Sequence, residues 1–164
     1  MPVEEVYIGI GSNLGDPPAI VENAIACLAN LPKSLLIARS SLYRSEAVSD
    51  IPQDDYINAV VALKSSLQPM ALLLELQSIE HAFYRQRDPA LIWAPRTLDL
   101  DIILFGHREL NDSHLTVPHR EMANRLFVLK PLFEISGEMY IPRLGSLQYL
   151  IDRAPQINMT KIQP

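Results

Sequence analysis

An α+β fold is predicted for this 164-residue sequence, with an antiparallel sheet and helices on one of its faces. Three observations carry the prediction. Val6–Ile10, Leu35–Arg44, Tyr56–Leu63 and Thr97–Phe105 have the residue types or the two-residue alternation of strands. The stretches from Ile20 to Leu31 and from Pro69 to Tyr84 repeat apolar residues at helical spacing. Read in order, these segments run β-α-β-β-α-β, the ferredoxin-like arrangement, followed by C-terminal additions. The second face of such a sheet is left for loops and ligand. The chain is read as a single domain over residues 1–164, with the last dozen residues a polar tail.

The first strand ends in Gly11-Ser12-Asn13-Leu14-Gly15-Asp16. Asp16 is a suitable helix cap and Pro17 a suitable first helical residue. The glycine spacing fits neither a dinucleotide fingerprint nor a P-loop, so a structural turn is preferred. Ile20, Val21, Ala24, Ile25, Leu28 and Leu31 form the buried stripe of the first helix. Cys27, the only cysteine, is expected to be a buried structural thiol, and a lone cysteine excludes an intramolecular disulfide.

Ser45 to Asp54 is polar and irregular and reads as a loop. In the third strand, Tyr56, Asn58, Val60 and Ala62 share one face, and Ile57, Ala59, Val61 and Leu63 the other. Tyr56 and Asn58 have two readings: a strand end reaching water, or a ring and an amide that recognise a flat heterocycle. The second helix has Met70, Leu73, Leu74 and Leu76 as core candidates. Gln77, Glu80 and Tyr84 line one side of it, which sequence alone also allows to be a solvated face.

The next segment runs from Arg85 to Trp93 and holds Arg85 and Arg87, with Arg96 close behind. It reads either as a solubilising cluster or as the local cationic patch that a polyphosphate needs in an acidic chain. It is expected to be mobile without ligand and to order over bound nucleotide. Trp93 either covers a base or caps the core.

From Thr97 onward, Leu98, Leu100, Ile102 and Leu104 are expected on one face, and Thr97, Asp99 and Asp101 on the other. Strands are depleted in Asp, and like charges two residues apart repel. A solvated edge would tolerate them. A divalent cation would remove the conflict, and paired carboxylates that leave room for water and phosphate oxygens suit Mg²⁺. Ile103 and Phe105 continue the carboxylate face as apolar residues, which places the aspartates at the border of a covered surface.

Leu115–His119 is an extended stretch that stops at a helix start. Met122, Leu126, Phe127 and Leu129 suit a third helix, with Arg125 beside them. Ser146 to Ile151 suggests a short terminal helix.

Composition narrows the function. A net charge of −5 gives no global field for nucleic acid or an anionic membrane. The start of the chain lacks the basic-then-apolar form of a signal peptide, so a cytoplasmic location is expected. Four scattered histidines and one cysteine show no zinc-ligand spacing.

Trp93–Gly106, Gly9–Gly15, Tyr56-Ile57-Asn58-Ala59 and Leu115–His119 stand in the order and separation of a known family. Together they resemble 6-hydroxymethyl-7,8-dihydropterin pyrophosphokinase of folate biosynthesis, over nearly the whole chain to about residue 150. The Pro95–Asp101 stretch is the most specific part.

The resemblance implies transfer of pyrophosphate from ATP to the pterin hydroxymethyl group, releasing AMP. It implies that Asp99 and Asp101 hold two Mg²⁺ ions that bridge the ATP phosphates. It makes Arg85 and Arg96 mobile catalytic arginines. Gln77, Glu80, Arg87, Trp93, Ile102, Thr116, His119 and Arg125 match nucleotide-binding positions. Tyr56 and Phe127 match the rings that sandwich the pterin, Asn58 the amide that reads its edge, and Ser45 and Val48 loop positions whose backbone contacts it; Trp93 borders the pterin as well. The implied partners are these small molecules, with no nucleic acid or membrane, and the implied state is a monomer.

The chain departs from the family pattern in places. Ser45 stands where Thr is common, Glu46 where Pro is common, His114 where some members place an ATP-binding Arg, and Arg120 where an aromatic is frequent. The arginine loop is one residue longer. Two other readings use the same aspartates: a non-catalytic ferredoxin-like module that senses a metal or nucleotide, and a metal-dependent phosphohydrolase acting without pterin.

Overall fold

The computed structural model describes residues 2–47, 53–85 and 98–162. Val48, Arg87, Trp93, Arg96 and the side chain of Arg85 lie outside the described residues, as does the expected lid. The chain forms β1 (Glu4–Ser12), α1 (Pro17–Ala29), β2 (Ser34–Arg39), β3 (Tyr43–Ser45), β4 (Tyr56–Ser65), α2 (Pro69–Arg85) and β5 (Asp99–Phe105). The C-terminal part adds the pair β6 (Leu110–Asn111) and β7 (Thr116–Val117), a 3-10 turn (Met122–Asn124) and α3 (Leu126–Ser136). The pair β8 (Tyr140–Ile141) and β9 (Gly145–Ser146), α4 (Leu147–Arg153) and β10 (Met159–Lys161) complete it.

The main sheet has the order β10-β3-β4-β1-β5, with β2 also paired to β4, and every pairing is antiparallel. Alternation on β4 sorts its side chains as the sequence predicts. Ile57, Ala59, Val61 and Leu63 join Val6, Ile8 and Ile10 of β1 beneath α1 and α2. Val60 and Ala62 face the other way, with Tyr7, and meet Leu126, Leu129 and Leu132 of α3 and Leu147 and Leu150 of α4. Helices therefore cover part of both faces, not one face as expected. Each fully buried Leu or Ile contributes about 1.5–3 kcal/mol, so both layers matter to stability. The ligand surface is what α3 and α4 leave open.

Local chemistry explains the first crossover. Gly15 has φ of +74°, a conformation that favours glycine. Asp16 then caps α1 by accepting the Ala19 amide hydrogen at 3.4 Å, with Pro17 at the helix start. The first strand also runs on to Ser12, so Gly11 and Ser12 belong to the sheet rather than to the turn.

Other expectations need correction. Residues 35–44 form two strands, because at Ser40 the amide still donates to the Val60 carbonyl at 2.9 Å but the side chain replaces the backbone carbonyl as acceptor. Its Oγ accepts the Val60 amide hydrogen at 2.9 Å and donates to the Ser41 carbonyl at 2.7 Å. Cys27 is exposed, since Val21, Ala24, Ile25 and Leu28 define a buried stripe that leaves it outside. On α2, Leu72 and Leu76 are buried, while Met70 and Leu74 face outward. Met122 is buried but sits on the 3-10 turn, ahead of α3. The expected tail is not loose polar chain throughout: Met159–Lys161 pair with Tyr43–Ser45 as the edge strand of the sheet.

The largest correction is on β5. Tyr7 pairs with Leu104 and Ile8 with Ile102, so Ile103 has no partner in the ladder. This bulge breaks the alternation. Leu100 and Ile102 lie under α2, but Ile103 and Leu104 both join the α3–α4 core, and Phe105 returns to the first core. Among the described residues, no helix is long and apolar enough to cross a membrane.

Candidate active site

The site is a row of residues across three strands. On β1, Gly9 pairs with Asp101 and Gly11 with Asp99 of β5. On its other side, Gly11 pairs with Asn58 of β4. Each aspartate thus faces a residue with no side chain, and Asn58, Gly11 and Asp99 form a straight cross-strand line. Neighbouring strands lie about 4.8 Å apart, so this line places the amide and the carboxylate about 10 Å apart at their backbones.

A cavity of about 160 Å³ opens above this row. Gly9, Gly11, Tyr56, Asn58, Asp99 and Asp101 are among the residues lining it, and Ser45, Arg125 and Phe127 complete its rim. The glycines are its floor. A Cβ on Gly11 would come within 3.1 Å of Asn58 Oδ1, and one on Gly9 within 3.1 Å of Ile103 Cδ1. The sequence places Gly9 in the first strand and Gly11 in the turn that follows; their pairing with the aspartates comes from the register between β1 and β5.

Asn58 is buried and held by one bond, donating from Nδ2 to Ser45 Oγ at 2.8 Å. Its carbonyl oxygen faces Gly11 and the cavity floor. Burial, and then the charge of Asp99, push the Tyr56 phenol above its ordinary pKa, so the ring stays neutral beside the carboxylate. Arg125 lies over the Phe127 ring, with 5.8 Å from the guanidinium carbon to the ring centre.

A second cavity of about 380 Å³ adjoins the same aspartates. Gln77 and Glu80 of α2, Asp99, Asp101, His119 and Arg125 contribute to its lining. The two cavities share Asp99, Asp101 and Arg125. Both Gln77 and Glu80 border this hollow, Gln77 as an exposed residue and Glu80 half-buried. β5 is an edge strand, and among the described residues two groups hydrogen-bond to its outer side. Glu80 Oε2 accepts the Leu100 amide hydrogen at 2.8 Å. The Ile103 carbonyl, at the bulge, accepts the His119 amide hydrogen at 2.9 Å.

That second bond brings His119 beside the carboxylates. Its Nε2 lies 3.8 Å from Asp101 Oδ1, and Arg125 Nη1 lies 3.9 Å from Asp101 Oδ2. Both distances exceed a hydrogen bond. The Glu121 amide donates to His119 Nδ1 at 3.1 Å, so the neutral ring carries its proton on Nε2. Burial lowers the His119 pKa; Asp101 opposes that shift and Arg125 adds to it.

Two predicted residues sit apart from the cavities' side-chain lining. Ile102 is buried beneath the helices, on the face opposite Asp101, which leaves its backbone for any nucleotide contact. Thr116 lies on β7, and its hydroxyl donates to Asn111 Oδ1 at 3.3 Å.

Comparison with known proteins gives a consistent family. Residues 7–137 match the model of the family described as 7,8-dihydro-6-hydroxymethylpterin-pyrophosphokinase (HPPK). A 2-amino-4-hydroxy-6-hydroxymethyldihydropteridine pyrophosphokinase of Haemophilus influenzae is 38% identical over 158 residues, covering 96% of this chain and 98% of the relative. The protein of the same name from Pseudomonas aeruginosa is 40% identical over 153 residues, 93% of each chain. Among solved structures, the wild-type Plasmodium falciparum HPPK-DHPS with pterin and p-hydroxybenzoate superposes with a TM-score of 0.70 at 12% identity. That match covers 93% of this chain and 43% of the Plasmodium chain, and shows likeness of fold. With most of its length inside the family model and near-full-length relatives at about 40% identity, the chain belongs to the 7,8-dihydro-6-hydroxymethylpterin-pyrophosphokinase family.

Proposed function

We propose that this chain transfers pyrophosphate from ATP to 6-hydroxymethyl-7,8-dihydropterin, giving AMP and the pterin diphosphate, in folate biosynthesis. The observation that carries the reading is the cross-strand line Asn58–Gly11–Asp99. It sets an amide suited to a heterocycle edge and a carboxylate suited to a metal–phosphate on one floor, with a glycine between them.

The roles divide along that line. The pterin ring lies over Gly11 between Tyr56 and Phe127, with Asn58 Oδ1 accepting from its amino edge. Ser45 holds the Asn58 amide in that orientation, Val48 adds a backbone contact, and Trp93 covers the ring. The nucleotide occupies the adjoining hollow, against Gln77, Glu80, Thr116, His119, Arg125 and the backbone of Ile102. Arg87 and Trp93 complete its binding. Arg85 and Arg96 meet the charge that develops on the transferring phosphates.

Asp99 and Asp101 suit Mg²⁺: they are hard oxygen donors, incompletely buried, open to both hollows, and opposite glycines across β1. Two ions held there supply charge neutralisation for the polyphosphate when bound. In the transfer, the pterin hydroxymethyl oxygen forms a bond to the β-phosphorus. The bond from that phosphorus to the α,β-bridging oxygen breaks, AMP leaves, and the hydroxyl proton passes to solvent. The protein's share is positioning and charge.

In the same reading, β1-α1-β2/β3-β4-α2-β5 is a ferredoxin-like core, supported by its antiparallel strand order. The chain is one catalytic unit, monomeric and cytoplasmic. The test is to supply Mg-ATP with and without the hydroxymethyl pterin and to score AMP against ADP. AMP that appears only with pterin supports the proposal. ADP as the main product, or AMP formed equally without pterin, rejects it.

A further inference from the structure

The rim of the pterin cavity is tied to the far end of the chain. The β3–β4 ladder ends at the Ser45–Tyr56 pair. The next residue, Glu46, also lines the cavity, and takes its backbone partner from the C-terminal segment instead. Its amide donates to the Asn158 carbonyl at 3.2 Å. Asn158 answers twice: its amide donates to Glu46 Oε1 at 3.2 Å and its side-chain Nδ2 to Oε2 at 3.4 Å. One residue further on, β10 pairs Met159 with Ser45, whose hydroxyl holds the Asn58 amide.

We propose that Asn158 is a positioning residue for the pterin pocket, acting through Glu46 and Ser45 on Asn58; the inference rests on the function proposed above. The pairing satisfies both oxygens of a carboxylate that would otherwise stand at the mouth of a cavity beside the aspartates. It also fixes the backbone where β3 leaves the sheet. Single bonds between exposed groups are weak, but three between the same two residues set one geometry. The effect belongs to the pterin side, because Glu46 lines the pterin cavity and, among the described residues, neither Glu46 nor Asn158 lines the nucleotide hollow.

The test exchanges donor and acceptor across the side-chain bond. Asn158→Asp places a carboxylate against Glu46, and adding Glu46→Gln returns a donor to meet it. Asn158→Asp is expected to raise the pterin KM about tenfold, with the double variant recovering most of the loss, as coupled neighbours do. The KM for ATP and kcat at saturating pterin stay within about twofold, since no group near the phosphates has moved. Lys161→Ala is the control. It weakens the other end of β10, where Lys161 lies 3.8 Å from Glu134, and should lower stability without a selective pterin effect.

Equal rises in both KM values, or a pterin KM unaltered in Asn158→Asp, or no recovery in the double variant, would each overturn the proposal. If the wild-type chain forms no pterin-dependent AMP, the functional reading itself fails. If it does and only the Asn158 results fail, that reading stands and this inference alone falls.

Discussion

Glu80 on α2 is hydrogen-bonded at 2.8 Å to the amide of Leu100, the residue between Asp99 and Asp101. A helix carboxylate thereby closes the edge of the strand that presents both proposed metal ligands. Glu80→Ala leaves that amide without its charged acceptor. A loss of about 1–2 kcal/mol is expected, or about 3–6 °C in melting temperature. Turnover should fall further than the folded fraction does. Glu80→Gln keeps an acceptor and should recover most of the stability. An alanine variant with unchanged melting temperature and turnover would show that the contact is unimportant.

Asp99→Asn and Asp101→Asn should separate metal binding from folding. Asp99 lies opposite Gly11, and removing its charge relieves repulsion with Asp101. Unliganded Asp99→Asn is therefore expected to melt at the same temperature or slightly higher. Asp101 has His119 and Arg125 at 3.8 and 3.9 Å. Such partly exposed contacts are worth under about 1 kcal/mol, so Asp101→Asn should show at most a small decrease. Both variants should slow single-turnover transfer about a hundredfold to a thousandfold, or about 3–4 kcal/mol. A destabilised variant with near-normal turnover would remove the metal assignment.

Gly11→Ala tests the cavity floor. The new methyl would press on Asn58 Oδ1 from 3.1 Å, and Asn58 is already tied to Ser45. The pterin KM should rise about tenfold or more, while ATP affinity changes little. Calorimetric titration with each substrate separates the two. Equal weakening of both would mean that the methyl disturbs the sheet and not the floor.

Glu134 predicts an acid limb in stability. Burial pushes its carboxyl up, but hydrogen bonds from Tyr43 and Ser41, with Lys161 nearby, outweigh this and hold it below an ordinary glutamate. A depressed folded-state pKa gives stability that is complete above the unfolded-state pKa. That stability is lost as pH falls through the folded-state value. Tyr43→Phe removes the 2.7 Å bond from the phenol. It should cost about 1–2 kcal/mol at neutral pH and make stability less sensitive to acid. Urea unfolding at several pH values checks both. A parallel offset at every pH would contradict the assignment.

Much of this arrangement is legible in the sequence, and the failures have physical causes. β4 is legible because its alternation is unbroken: Ile57, Ala59, Val61 and Leu63 all meet the first core. α2 was harder. Leu72, Leu73, Leu74 and Leu76 supply too many apolar residues to fix the phase of the stripe, and only the sheet selects Leu72 and Leu76 for burial. β10 has the composition of a tail because an edge strand keeps polar side chains on its solvent side. The pairing of Gly9 and Gly11 with the aspartates depends on register between distant strands, which local pattern does not contain.

The unpaired Ile103 makes the length of β5 as informative as its composition. Upstream of it, the strand presents charge to the two cavities; downstream, the same sheet face is packed under α3 and α4. Removing that residue would let Leu104 and Phe105 keep their places opposite Tyr7 and Val6 in an unbroken ladder, but would withdraw the bulge carbonyl that anchors His119. A substitution at Ile103 can preserve that punctuation, whereas a deletion erases it. In alignments of such chains, a gap between Asp101 and Phe105 should therefore signal a rebuilt nucleotide hollow even where both aspartates survive.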